Sequence, residues 1–187
     1  MSIKQANFAA ERISNPFLQS PAPSHTDIEY LMQAAIRAPD HGNLTPFRFI
    51  VVSQHQLDQL GQMFLVSSQA QGDIPEIQAD KLLKMPHRAP MVIISIATLV
   101  EHPKVPKNEQ LITAGLAVHQ LCSAAKEIGF DSMWRTGNLA TNKKLCSLLN
   151  LAQNEEITGF IYIGTAYKTK PNPTKQTVSH IFKHFGE

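Results

Sequence analysis

"PKNEQLITAGLAVHQLCSAAKEIGF", residues 106–130, is the stretch on which the fold turns. Pro106 suits a first helical turn, where its missing N–H would have no partner, and Gly129 suits a helix end. The pattern predicts a helix over 106–128, the longest in the chain. Leu111, Ile112, Leu116, Val118, Leu121, Cys122 and Ile128 do not keep to one narrow stripe. A helix that is apolar nearly all round is buried, in a core or between subunits.

Working outward from it, "FDSMWRTG" reads as a short strand, "NKKLCSLLNL" as a helix, and residues 156–166, "EITGFIYIGTA", as a strongly β-prone strand. On the other side, "APMVIISIAT" (89–98) is an almost continuous apolar strand, which implies cover on both faces. Helices are expected over 55–70 and 75–84, and a strand over 47–53, "FRFIVVS". A helix over 26–37 is expected to begin at a capping box of Thr26 and Glu29, with a short helix at 3–12 before it. The order is α, α, β, α, α, β, α, β, α, β, which argues an α+β or mixed α/β sandwich around about four strands. No linker or repeat interrupts it, so residues 1–187 read as a single domain, closed by a C-terminal arm at about 167–187 that docks on something.

The totals exclude several classes. A chain of 187 residues can bury roughly 70% of its unfolded surface. With 43% hydrophobic and 17% charged residues it is neither disordered nor fibrous. A net charge of +2 with scattered Lys and Arg argues against a nucleic-acid partner. Cys122 and Cys146 have no disulfide or metal spacing. Neither a signal peptide nor a long apolar span is apparent, so a soluble, cytoplasmic protein away from membranes is expected.

The usual dinucleotide, P-loop, zincin and hydrolase motifs do not occur, and Asp40-His41 stands too isolated for a metal site. Four sparse groups remain. Arg12 and Ser14 near a helix end could meet a phosphate, or could be a solvated arginine and a turn serine. Arg37, in "IRAPDHGNLTPFRFIVV" (36–52), could bind a ligand or complement the helix dipole. Trp134 and Arg135 beside Gly137 could hold a planar ligand, or be a core tryptophan and a surface arginine. Lys168 and Lys170 could close on a phosphate or solvate the tail. Together they suit a flat, phosphorylated cofactor whose chemistry is its own.

"RAPDHGNLTPFRFIVV", "KVPKNEQ", "GFDSMWRTG" and "ITGFIYIGT", in this order, resemble the FMN-dependent nitroreductase family, closest to its short NAD(P)H nitroreductase branch. The resemblance runs from Arg12 to Thr165. It implies a three-layer α/β/α sandwich with a mixed, mostly antiparallel sheet, built as an intertwined homodimer with FMN at the subunit interface. The helix at 106–128 would then be the interface helix, and the C-terminal arm would embrace the other subunit. By position, Arg12, Ile13 and Ser14 would meet the FMN phosphate and ribityl side. Arg37 and His41 would reach the same flavin from the partner chain, and Trp134, Arg135 and Thr136 would approach it from their own strand end. Ala124, Ala125, Lys126, Glu127, Ile128 and Gly129 would form the nicotinamide side. Ile13 departs from relatives that carry a second basic residue there, which shifts phosphate binding toward Lys168 or Lys170. The implied activity is ping-pong hydride transfer from NAD(P)H to nitroaromatic, quinone or similar small acceptors, with no side chain singled out as catalytic. A different flavin-dependent reaction on the same fold, or a flavin-binding module, is the alternative.

Overall fold

The computed structural model describes residues 15–168 and 180–186. In chain order its elements are β1 (Leu18–Gln19), α1 (His25–Ala35), β2 (Phe47–Val52), α2 (Leu57–Gln69), α3 (Glu76–Lys84), β3 (Met91–Thr98), α4 (Lys107–Glu127), β4 (Asp131–Arg135), α5 (Lys143–Leu148) and β5 (Glu155–Ala166). β5 lies at the middle of the sheet, flanked by β3 and β4; β2 lies beyond β3, and β1 pairs with the last residues of β5. Every pairing among the described residues is antiparallel. The two-residue β1 was not expected from sequence, because it is too short to show a period. The expected helix at 3–12 lies outside the described residues, as do 169–179 of the arm. At residues 180–186 the chain is exposed.

β3 explains the layering. Met91, Ile93 and Ala97 enter a core with α1 and α4, while Val92, Ile94 and Ile96 enter a second core with α2, α3 and α5. A period of two on a strand with apolar residues on both sides requires a helical layer on each face. α4 buries Gln110, Thr113, Ala114, Ala117, Val118, Leu121, Cys122, Ala124 and Ala125, a stripe at helical spacing against the sheet. Its remaining apolar residues face outward: Ile112 is 60% exposed, and Leu111 and Leu116 are exposed as well. Among the described residues no helix is long and apolar enough to cross a membrane.

The cap of α1 lies two residues before the expected one. Ser24, not Thr26, is the cap: its hydroxyl accepts from Asp27 N at 3.2 Å, and the Asp27 carboxylate accepts from Ser24 N at 2.8 Å. Both pairs have the spacing of a capping box, and the one nearer Pro23 is used.

Glu155, at the head of β5, joins three segments. Its carboxylate accepts from the Arg48 guanidinium of β2, from Thr98 Oγ1 at 3.3 Å and from Ala152 N at 2.9 Å. The Arg48 hydrogen bond, against the opposing effect of burial, holds the Glu155 pKa down at about 2. A depressed acid contributes stability above its unfolded pKa of 4.5, and loses it as pH falls toward 2. Arg48→Ala is therefore expected to lower stability by about 2 kcal/mol at pH 7, discounted for the half-exposed arginine. Urea titrations at pH 7 and pH 3 should show the wild-type advantage shrinking in acid; an unchanged difference would refute the role of the pair.

Candidate functional site

The turn after β4 is where the sequence-expected residues come closest together. A strand alternates faces, so Trp134 and Arg135 point to opposite sides of the sheet. Trp134 lies toward α4, with its ring over Gly115 and its Nε1 donating to Thr158 O at 3.2 Å. It remains 39% exposed. Arg135 lies on the other side, its guanidinium carbon 5.9 Å from the Tyr162 ring centroid. The two side chains cannot form one clamp on a single ligand face, and Thr136, exposed just beyond them, belongs to the turn.

Trp134 needs a special backbone opposite it. The β3–β5 register shifts between Ser95 and Ile96, leaving a bulge on β5 at Thr158. Gly159 follows at φ 154, and a Cβ there would lie 2.6 Å from Trp134 Cδ1 and 2.8 Å from Arg135 O. Only a glycine leaves room for the indole. Thr158 Oγ1 donates to the buried Ser95 Oγ at 2.7 Å and holds the bulge on its other side.

The start of β4 is tied to the N-terminal segment. Asn15, 3% exposed, donates through its backbone N to Ser132 O at 2.8 Å. Its Nδ2 donates to Asp131 Oδ2 at 3.3 Å and to Lys168 O at 2.8 Å, while Oδ1 accepts from Phe17 N. Asp131, 5% exposed, also accepts from Lys126 Nζ at 2.9 Å. The chain is thus held between β4 and the end of β5 at the residue after Ser14. Arg12, Ile13 and Ser14 themselves lie outside the described residues, and so does Lys170. Lys168 Nζ sits 5.3 Å from the centroid of the Phe17 ring.

Arg37 and His41 occupy a different place, the loop between α1 and β2. Arg37 is exposed just past the helix end, and among the described residues its guanidinium has no hydrogen bond or ion pair. His41 Nδ1 lies 2.8 Å from Glu109 Oε2 of α4.

The nitroreductase family profile matches residues 12–165. The chain belongs to the nitroreductase family. A Haemophilus influenzae protein provisionally named an NAD(P)H nitroreductase is 36% identical over 155 residues, covering 82% of this chain and 84% of that one. The nitroreductase-like family protein of Bacillus cereus superposes with a TM-score of 0.83 at 19% identity, covering 97% and 96% of the two chains. The FMN-dependent nitroreductase of Clostridium difficile R20291 superposes at 0.68 with 20% identity, covering 96% of each. Family membership makes the protein an oxidoreductase and settles its fold as nitroreductase-like α+β.

In this chain the stretch at 124–129 is partly tied into the fold, with Glu127 and Gly129 exposed. Ala124 and Ala125 are buried, Lys126 is bound to Asp131, and Glu127 accepts from Tyr30 OH at 3.1 Å. Ile128 is the helix C-cap, and Gly129 turns the chain at φ 90. A cavity of about 450 Å³ opens instead beside the β4 turn, bordered by Thr136, Asn138 and Asn142 and, opposite, by Gln71, Gln78 and Met85. Residues 71–78 were missed in the sequence because a short loop running into a helix, with Asp73 and Glu76 as its charged groups, carries no chemical motif. A larger groove of about 1030 Å³ lies between α5 and the start of β5, and none of the sequence-expected residues borders it.

Proposed function

We propose that the protein is an FMN-dependent oxidoreductase that takes hydride from NAD(P)H and reduces a nitroaromatic, quinone or similar acceptor by a ping-pong mechanism. The observation that carries this reading is the cavity at the β4 turn. Ile74, Leu82, Met85 and Leu139 offer apolar walls, while Gln71, Gln78 and Asn138 offer amide groups that can both donate and accept. Apolar walls with a few convergent polar groups suit a planar heterocycle with a polar edge. Among the described residues Asp73 is the only ionisable one lining it, so they offer no acid–base pair there. Such a site suits a cofactor that brings its own redox chemistry, and FMN, when bound, supplies hydride acceptance and delivery.

This chain's residues would bind and orient. Arg12 and Ser14, with the Ile13 backbone, would hold the phosphate side, and the buried Asn15 next to them supports that by giving the segment a fixed anchor. Thr136 would meet the ring at the edge of the cavity, with Trp134 and Arg135 approaching from opposite faces of the strand. Arg37 and His41 would come from the second subunit, and the 124–129 stretch would face the nicotinamide. The FMN dependence of the Clostridium protein and the NAD(P)H name of the Haemophilus relative support the cofactor and donor.

Anaerobic titration of the purified protein with NADH and NADPH tests the reading. Stoichiometric FMN is expected, bleached by at least one of the nucleotides. Failure to take up FMN on reconstitution, or a bound flavin that neither nucleotide reduces, would overturn it. A flavin that bleaches without turnover of nitro or quinone acceptors would favour a different flavin-dependent reaction on the same fold.

The homodimer belongs to the same proposal. Ile112, Leu116, Tyr30 of α1 and its C-cap Ile36 leave the α1–α4 layer with exposed apolar side chains. The tail's Ile181, Phe182 and Phe185 are exposed too, as an arm awaiting a second subunit would be. Ile112→Glu is expected to turn a dimer into a monomer by light scattering and to release flavin. A wild-type monomer, or a variant that stays dimeric, would count against this face.

A further inference from the structure

The loop at 39–45 is held in one shape from several sides. Thr113 Oγ1 of α4 donates to Pro39 O at 3.0 Å, and Thr45 N donates to Asp40 Oδ2 at 2.6 Å. Gly42, Asn43 and Thr45 all have positive φ, of 81°, 51° and 45°. A β-branched residue in that region is strained, and such strain persists only where the surroundings enforce it. Val105 packs under Gly42, and Val105 is in turn tied to α4 by the buried Gln110, whose Nε2 donates to Val105 O at 3.0 Å.

The result of these anchors is one side-chain geometry, His41 Nδ1 at 2.8 Å from Glu109 Oε2. The two side chains are 58% and 44% exposed. An ion pair so exposed adds little stability, so stability does not explain a strained loop built to make it. Placement offers another reason. Glu109, Ile112 and Leu116 stand at i, i+3 and i+7 on α4, so the pair heads the exposed apolar stripe of that helix. A carboxylate can only accept, so its contact puts the proton on Nδ1 and leaves Nε2 as the free ring nitrogen. Because Nδ1 faces Glu109, Nε2 is turned away from it.

We propose that Glu109 is a positioning residue for His41, fixing the ring and its tautomer so that Nε2 is the nitrogen offered to FMN across the subunit interface. This rests on the flavin reading above. Glu109 touches no cofactor atom itself; it acts through the imidazole, as a carboxylate behind a metal-bound histidine does.

The test compares wild type, Glu109→Ala, Glu109→Gln, His41→Ala and the double variant Glu109→Ala with His41→Ala. Long-range ¹⁵N–¹H spectra of the histidine rings report the His41 tautomer, and quenching of FMN fluorescence reports affinity. Wild type is expected to carry the proton on Nδ1. Glu109→Ala should lose that preference and raise the FMN Kd about fivefold, the effect of one hydrogen bond. Glu109→Gln should recover part of both, because its amide oxygen still accepts. In the His41→Ala background, removing Glu109 should change nothing further. An unaltered tautomer in Glu109→Ala, or an equal loss of affinity with and without His41, would overturn the proposal while leaving the flavin reading intact. Wild-type protein that takes up no FMN would overturn both.

Discussion

Gly159→Ala is expected to cost about 4 kcal/mol or more, at the far end of single-residue effects. Two penalties add. The glycine's φ of 154 is unfavourable for a residue with a Cβ, and that Cβ would press on Trp134 Cδ1 from 2.6 Å and on the Arg135 carbonyl from 2.8 Å. The carbonyl belongs to the neighbouring strand and cannot swing aside. The indole can leave only by giving up its hydrogen bond to Thr158 O and its place over Gly115. Trp134 is the only tryptophan in the sequence, so its fluorescence reports the event directly. The expected result is a large fall in the urea midpoint with a red-shifted native emission. A variant with wild-type stability and emission would refute the role of this close approach.

Lys126→Met is expected to be the next most damaging change, at about 3 kcal/mol. Asp131, 5% exposed, would keep the Asn15 amide at 3.3 Å but lose the only cationic side chain bonded to it among the described residues. Breaking one side of a buried pair leaves the other charge poorly compensated, which costs more than the pair itself contributes. Adding Asp131→Asn to the same variant should therefore recover much of the loss, and denaturant titration of the three proteins measures it. Absence of recovery would mean that the lysine stem, rather than the charge, supplies the stability. Because Asp131 begins the strand that carries Trp134 and Arg135 and leads into Thr136, FMN affinity should fall with Lys126→Met if the flavin lies at that turn.

Much of the fold was legible in local patterns. The apolar run at 89–98 announced two covered faces, and Met91 and Val92 do enter different cores. α4 is apolar on more than one side, and it divides: one stripe is core, while Ile112 and Leu116 are exposed. Hydrophobicity alone does not say which of these side chains enter the core. The cap of α1 was misread because two boxes with the same spacing overlap at Ser24 and Thr26, and only backbone geometry chooses between them.

The candidate site was less legible. Trp134 and Arg135 are adjacent in sequence and look like a pair, yet the strand period sends them to opposite faces. Glu109 passed unnoticed inside "KNEQ", since its meaning lies in a histidine 68 positions away. Asn15 and Asp131, buried 116 positions apart, likewise carry no local signal.

By itself, the sequence determined the element types, the need for helices on both sides of the sheet, and the family resemblance, because propensity, period and ordered motifs are properties of neighbours along the chain. Tertiary structure alone decided which groups meet: His41 with Glu109, Asn15 with Asp131, and Trp134 with the space over Gly159. Those meetings depend on strand register and on one bulge at Thr158, and a shift of one residue in either would turn the same side chains to other faces.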